Sequence, residues 1–220
     1  MSEAGAREVV CRIGRSLFER GLVNGTAGNI SVRLPDDAGF LITPTDACLG
    51  LLEPAELAAV DLQGHQTAGR PASKTLALHR RIYASDGEAH CVIHTHSREL
   101  VALSLEGVWQ PEAVLPPLTP YFVMKVGRVP HIPYHRPGDP AVAELLARAI
   151  EAGRGSGAPI RAVLCERLGP IVWQRTPVAA MAVLEELEET AHLWRLTQRQ
   201  PAPLAEAQID ELRRHFGARW

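Results

Sequence analysis

Apolar positions along the chain change period several times, and each change marks an element. Val9, Val10, Ile13, Leu17 and Phe18 recur at helical spacing, with Gly21 placed to end the helix. A small polar loop, Asn24-Gly25-Thr26-Ala27-Gly28-Asn29, follows it. Three short apolar runs then read as strands: Ile30 to Leu34, Phe40 to Thr43 and Leu57 to Leu62. Pro35-Asp36-Asp37 and Gln63-Gly64 supply turns after the first and third runs. Ser73 is placed to cap a helix running to about Ser85, with Leu76, His79, Ile82 and Tyr83 facing inward.

Ala89 to His96 reads as a further strand. The proline-rich stretch Pro111 to Pro140 reads as an irregular excursion. A helix over Ala141 to Ala152 comes next, then a hairpin formed by Val163 to Cys165 and Gly169 to Trp173. Thr176-Pro177 opens a long helix whose buried stripe is Met181, Leu184, Leu187, Ala191 and Trp194. Beyond Pro201 and Pro203 a last short helix carries Ile209, Leu212 and Phe216. Short strands joined by turns favour a single α/β domain over residues 1–200, with a central, largely antiparallel sheet flanked by helices. Residues 201–220 form a C-terminal helical extension. No GxGxxG follows a strand, so no dinucleotide site is expected.

Charge and composition narrow the partners. A net charge of −2 offers nothing to nucleic acid or to an anionic membrane. No apolar run approaches the roughly 18 residues that cross a bilayer. The four scattered cysteines contain no CxxC pair and read as reduced thiols of a cytoplasmic protein.

The candidate chemistry starts at His94-Thr95-His96. Residues two apart in a strand share a face, so both imidazoles could hold one divalent metal. An isolated HxH also arises as two histidines hydrogen-bonded in a polar pocket. The loop ending Gly28-Asn29 can turn backbone N–H groups toward a phosphate, or be an ordinary helix-to-strand turn. Ser73-Lys74 at a helix N-terminus is a second anion-friendly place. Thr43-Pro44-Thr45 adds hydroxyls at a strand end. His131-Ile132-Pro133-Tyr134-His135-Arg136 could line a site or divide between surface and core.

Taken in order, five segments resemble the class II aldolase/adducin-head superfamily. They are GLVNGTAGNISVR, LITPTD (against ITPTG or ITPSG), DLQGHQTAGRPASKTLALHRRIY, AHCVIHTHSRELVALS and AVLCERLGPIVWQRTPVAAMAVLEELEETAHL. The middle stretch and the Ser73-Lys74 pair look nearest to the branch containing 3-oxo-tetronate 4-phosphate decarboxylase. The resemblance implies a metal-dependent carbon–carbon lyase, a decarboxylase or aldolase, acting on a small phosphorylated sugar acid or ketose through an enediolate. It implies phosphate contacts at Gly28, Asn29, Thr43, Ser73 and Lys74, zinc ligands at His94 and His96, and a homotetramer. Two positions depart from it. Thr75 stands where the family has its proton-moving glutamate, and Leu168 where it has a third metal histidine. Zinc would then be weakly held or absent unless Glu166 or His135 replaces the missing ligand. The alternative expectation is a catalytically degenerate relative with a binding or interaction role.

Overall fold

The computed structural model describes residues 2–35 and 38–220. The proposed turn at Asp36-Asp37 lies outside the described residues. In chain order the elements are α1 (Glu3–Glu19), β1 (Asn29–Arg33), β2 (Phe40–Ile42), β3 (Ala58–Val60), β4 (Gln66–Ala68), α2 (Leu76–Ser85), β5 (Cys91–His94), α3 (Arg98–Glu106), β6 (His131–Ile132), α4 (Pro140–Gly155), β7 (Ala162–Cys165), β8 (Gly169–Gln174), α5 (Pro177–Leu196) and α6 (Glu206–Phe216). The strands form one sheet in the order β4-β3-β2-β1-β5-β8-β7-β6. Every pairing is antiparallel except β6 with β7.

Strand alternation sends successive side chains to opposite faces, and helices cover both. Ile30, Val32, Cys91, Ile93 and Val172 point to one face, where they pack with Val10, Ile13 and Leu17 of α1, Leu100 and Leu103 of α3, and Leu184 and Leu187 of α5. Phe40, Ile42, Val92, Val163 and Trp173 point to the other, against Ile82 and Tyr83 of α2 and Leu146 and Ile150 of α4. The expected α/β fold, a central, largely antiparallel sheet flanked by helices, is therefore present. The four cysteines are unpaired. No helix among the described residues is long and apolar enough to cross a membrane.

Four local features differ from the sequence pattern. Helix α2 begins at Leu76, and the residue flanking it is Thr75, so Ser73 is not its cap; the Ser73 hydroxyl instead accepts the Thr75 N–H at 3.3 Å. Strand β5 ends at His94, so His96 lies beyond it. After it comes α3, which the sequence pattern does not reveal: its first free N–H groups, on Glu99 and Leu100, are taken at 2.8 and 3.2 Å by the carboxylate of Glu188 on α5. In α6, Ile209 is buried with Val123 and Ala218 but Phe216 faces solvent.

Candidate active site

The largest concentration of the predicted residues lies on the α2/α4 face, where the N-terminal ends of those two helices open over β1, β5 and β8. Backbone pairing builds the first wall. Ser73 N–H donates to the Thr43 carbonyl at 3.1 Å, and Thr45 N–H to the Pro71 carbonyl at 2.9 Å. These bonds bring Thr45-Asp46 beside Ser73-Lys74. The opposite wall is Arg136 to Pro140, leading into α4. The β7–β8 turn closes the end: Gly169, at φ +108°, runs so close that a Cβ there would meet the Thr95 carbonyl oxygen at 2.4 Å. The cleft holds about 290 Å³ and is lined by Gly28, Asn29, Ser73, Lys74, Thr75, His94, His96 and Leu168, among others.

Its base is a closed hydrogen-bond chain. His79 is fully buried, with Nε2 2.6 Å from Asn29 Oδ1 and Nδ1 2.7 Å from Ser31 Oγ, which lies 2.7 Å from Tyr83 Oη. The Asn29 amide oxygen can only accept, so Nε2 carries the proton and Nδ1 accepts from Ser31. Burial holds the imidazole neutral, its pKa pushed down to about 3, with the nearby His94 adding to the effect. With Oδ1 taken by His79, the Asn29 amide NH₂ is left for the cleft. The helical stripe in the sequence places His79 in the core; its tie to Asn29 is not visible there.

His94 is held differently. Its Nδ1 donates to the Pro170 carbonyl at 2.8 Å, which leaves Nε2 as a lone pair. Burial, chiefly, pushes its pKa down to about 4. The His96 ring stands 5.0 Å away, centroid to centroid, at the exposed side of the cleft, its pKa lowered by partial desolvation. Both rings thus reach one cleft even though the strand stops between them.

The remaining predicted residues separate. Gly28 lines the cleft at φ +85°, with space so limited that a Cβ would lie 2.8 Å from the His94 carbonyl. Ser73 Oγ is 2.9 Å from Thr75 Oγ1. Lys74 is exposed, its Nζ 3.7 Å from the Asp46 carboxylate. Thr43 does not line the cleft: it is fully buried, and its hydroxyl accepts the Ile30 N–H at 3.1 Å, a strand-closing role. Asp46 ends the LITPTD segment. It sits at φ +53°, which Asp tolerates better than most residues, where the family's strand end has glycine.

A resident metal fails the test of the donors present. Catalytic zinc takes three protein ligands and keeps one open position. Leu168 packs against the apolar cluster beneath α2 and α4. Glu166 faces away, its carboxylate accepting the Tyr134 N–H at 3.0 Å, and His135 lies 3.8 Å from Asp139. No three His, Cys, Asp or Glu side chains among the described residues converge as a metal would need.

Residues 8–195 match the family described as Class II Aldolase and Adducin N-terminal domain. The chain belongs to this family. It is 55% identical to a 3-oxo-tetronate 4-phosphate decarboxylase from Cupriavidus necator, across 100% of this chain and 99% of that one. Identity to a protein of the same name from Pectobacterium atrosepticum is 44%, over 87% and 84% of the two chains. The solved structure of YgbL from Escherichia coli superposes with a TM-score of 0.87 at 38% identity, covering 96% and 99%.

Proposed function

We propose that this protein is a lyase that decarboxylates a small phosphorylated 3-oxo sugar acid in the cleft between α2 and α4. The observation that carries the reading is the full-length, 55% identity to a decarboxylase of that substrate class. The cleft chemistry favours the same choice within the family. A 3-oxo acid loses carbon dioxide by passing its bonding electrons into the neighbouring carbonyl, without prior removal of a proton. Aldol cleavage needs a good base: Asp139 already accepts the Ala141 N–H at 3.0 Å, Asp46 lies at the exposed rim beside Lys74, and burial leaves His94 a weak base. Thr75, whose hydroxyl cannot act as a base near neutral pH, is therefore no obstacle to decarboxylation.

In this reading Lys74, the Asn29 amide and the backbone at Gly28 hold the phosphate, and Ser73 borders it. Distant phosphate binding fixes the reacting carbons beneath the histidines. The His94 Nε2 lone pair accepts from a substrate hydroxyl, and a ring N–H of His96 donates to the oxygen on which negative charge grows. The test is carbon dioxide release from 3-oxo-tetronate 4-phosphate above its spontaneous rate. Phosphate binding without any acceleration would favour the catalytically silent alternative instead.

The donor set supports metal retention well below one zinc per chain after dialysis against a chelator. Leu168→His supplies the family's third ligand and should bring retained zinc to about one per chain, read by elemental analysis of untagged protein. Full, chelator-resistant zinc in the unmodified protein would mean that a third donor moves in. A homotetramer is the assembly we expect. The exposed Trp109, Tyr121 and Tyr134, clustered in sequence around the proline-rich segment, support it. Light scattering at micromolar concentration decides the mass.

A further inference from the structure

At the far end of α2, about 15 Å along its ten residues from Thr75, a groove gathers arginines. Arg161, Arg175 and Arg219 line one cavity with Asp86, Glu88 and Trp173. Arg154 lines the adjoining cavity, which shares Asp86, Glu88 and Arg219. Four arginines thus line the groove with two carboxylates, and both carboxylates already have partners. Glu88 pairs with Arg175. Asp86 accepts from the Trp173 indole at 3.1 Å and from the Glu88 N–H at 3.1 Å, with Arg154 at 4.0 Å.

Arg161 and Arg219 have no carboxylate within ion-pairing distance among the described residues. Arg161 is half-buried and donates to the Lys125 carbonyl at 2.8 Å. Its charge is disfavoured by burial first, then by Arg219 and Arg175, with Glu88 only partly offsetting them. Holding the half-buried Arg161 charge beside other guanidinium groups is costly, and an oxyanion between Arg161 and the exposed Arg219 reduces that cost. Planar guanidinium groups match phosphate and carboxylate oxygens two at a time.

We propose that this groove is a second anion site, separate from the cleft, for a phosphate or carboxylate group held between Arg161 and Arg219. The group could belong to a small phosphorylated or acidic metabolite, or to a side chain or terminus of a second copy of this chain. The proposal is independent of the reaction assigned to the cleft.

The experiment titrates inorganic phosphate into the full-length protein by calorimetry, beside light scattering at the same concentrations. Arg161→Gln and, because Arg161 is partly packed, the exposed Arg219→Gln are compared with Lys74→Ala. A free-anion site predicts two phosphate sites in the native protein. Each arginine variant then weakens one of them roughly tenfold, and Lys74→Ala weakens only the other. A site filled by a second copy predicts instead that both arginine variants lower the assembled mass. Unchanged phosphate stoichiometry and affinity together with an unchanged mass, in folded Arg219→Gln and Arg161→Gln, would overturn the proposal.

Discussion

The base and the rim of the cleft are built on opposite rules. At the base every polar atom of His79 is used: Asn29 takes one ring nitrogen and Ser31 the other. At the rim the groups are left open. His96 is exposed, Lys74 has only a loose partner, and the Thr75 hydroxyl bonds only to its neighbour Ser73. The base therefore belongs to the stability of the fold and the rim to its ligand. A residue's chemistry alone does not separate the two, since both regions contain histidine.

The sharpest way to break this contrast is His79→Ala. It leaves the buried Asn29 oxygen without its partner, leaves the Ser31 hydroxyl with Tyr83 alone, and opens a cavity beside Tyr83. We expect a loss of about 3–5 kcal/mol, read as a fall in the denaturant midpoint at constant slope. A loss below about 1 kcal/mol, the size typical of an open surface position, would place His79 among the rim residues.

Acid sharpens the same point. In the unfolded chain a histidine titrates near 6.5, whereas native His79 stays neutral down to about 3. Its contribution is complete above pH 6.5. It is lost progressively as pH falls from there toward 3, because the unfolded chain takes up a proton that the native state refuses. Between pH 7 and pH 5 this amounts to about 2 kcal/mol. His79→Gln, which cannot titrate, should flatten the slope of stability against pH in that range. A slope unchanged by the substitution would show that other groups govern acid stability.

Much of this is legible in the chain, and what is not has a common cause. The alternation in Ile30 to Leu34 and the helical stripes of α1 and α5 are local patterns, and local patterns report burial directly. The two histidines of the HxH pair do reach one cleft, although β5 ends at His94. Three features are settled by distant partners. Helix α3 is capped by Glu188, 89 positions from Glu99. Thr43, a phosphate candidate for its hydroxyl, spends that hydroxyl on Ile30 in the neighbouring strand. His79, a core residue by its spacing, also fixes the Asn29 amide. No spacing rule carries contacts of that kind. Thr75 and Leu168 are legible because the family pattern makes their side chains conspicuous, and the structure adds that Leu168 is packed rather than idle.

The smallest effect separates the rim from the base most cleanly, because it should alter binding and leave stability alone. Lys74 and Asp46 lie 3.7 Å apart with side chains 78% and 75% exposed, so their pair is worth little to the fold, about 0–1 kcal/mol. A bound phosphate competes with Asp46 for the same ammonium group. Lys74→Ala should weaken phosphate binding at the cleft by roughly threefold to tenfold, the modest size reflecting solvent screening. Asp46→Asn should act in the opposite direction and tighten binding by a few-fold, since asparagine keeps the left-handed backbone and removes the competing charge. Calorimetric titration of both variants checks the pair of signs. If Asp46→Asn also weakens binding, Asp46 holds Lys74 in its working position, and the rim is then internally bonded in the same way as the base.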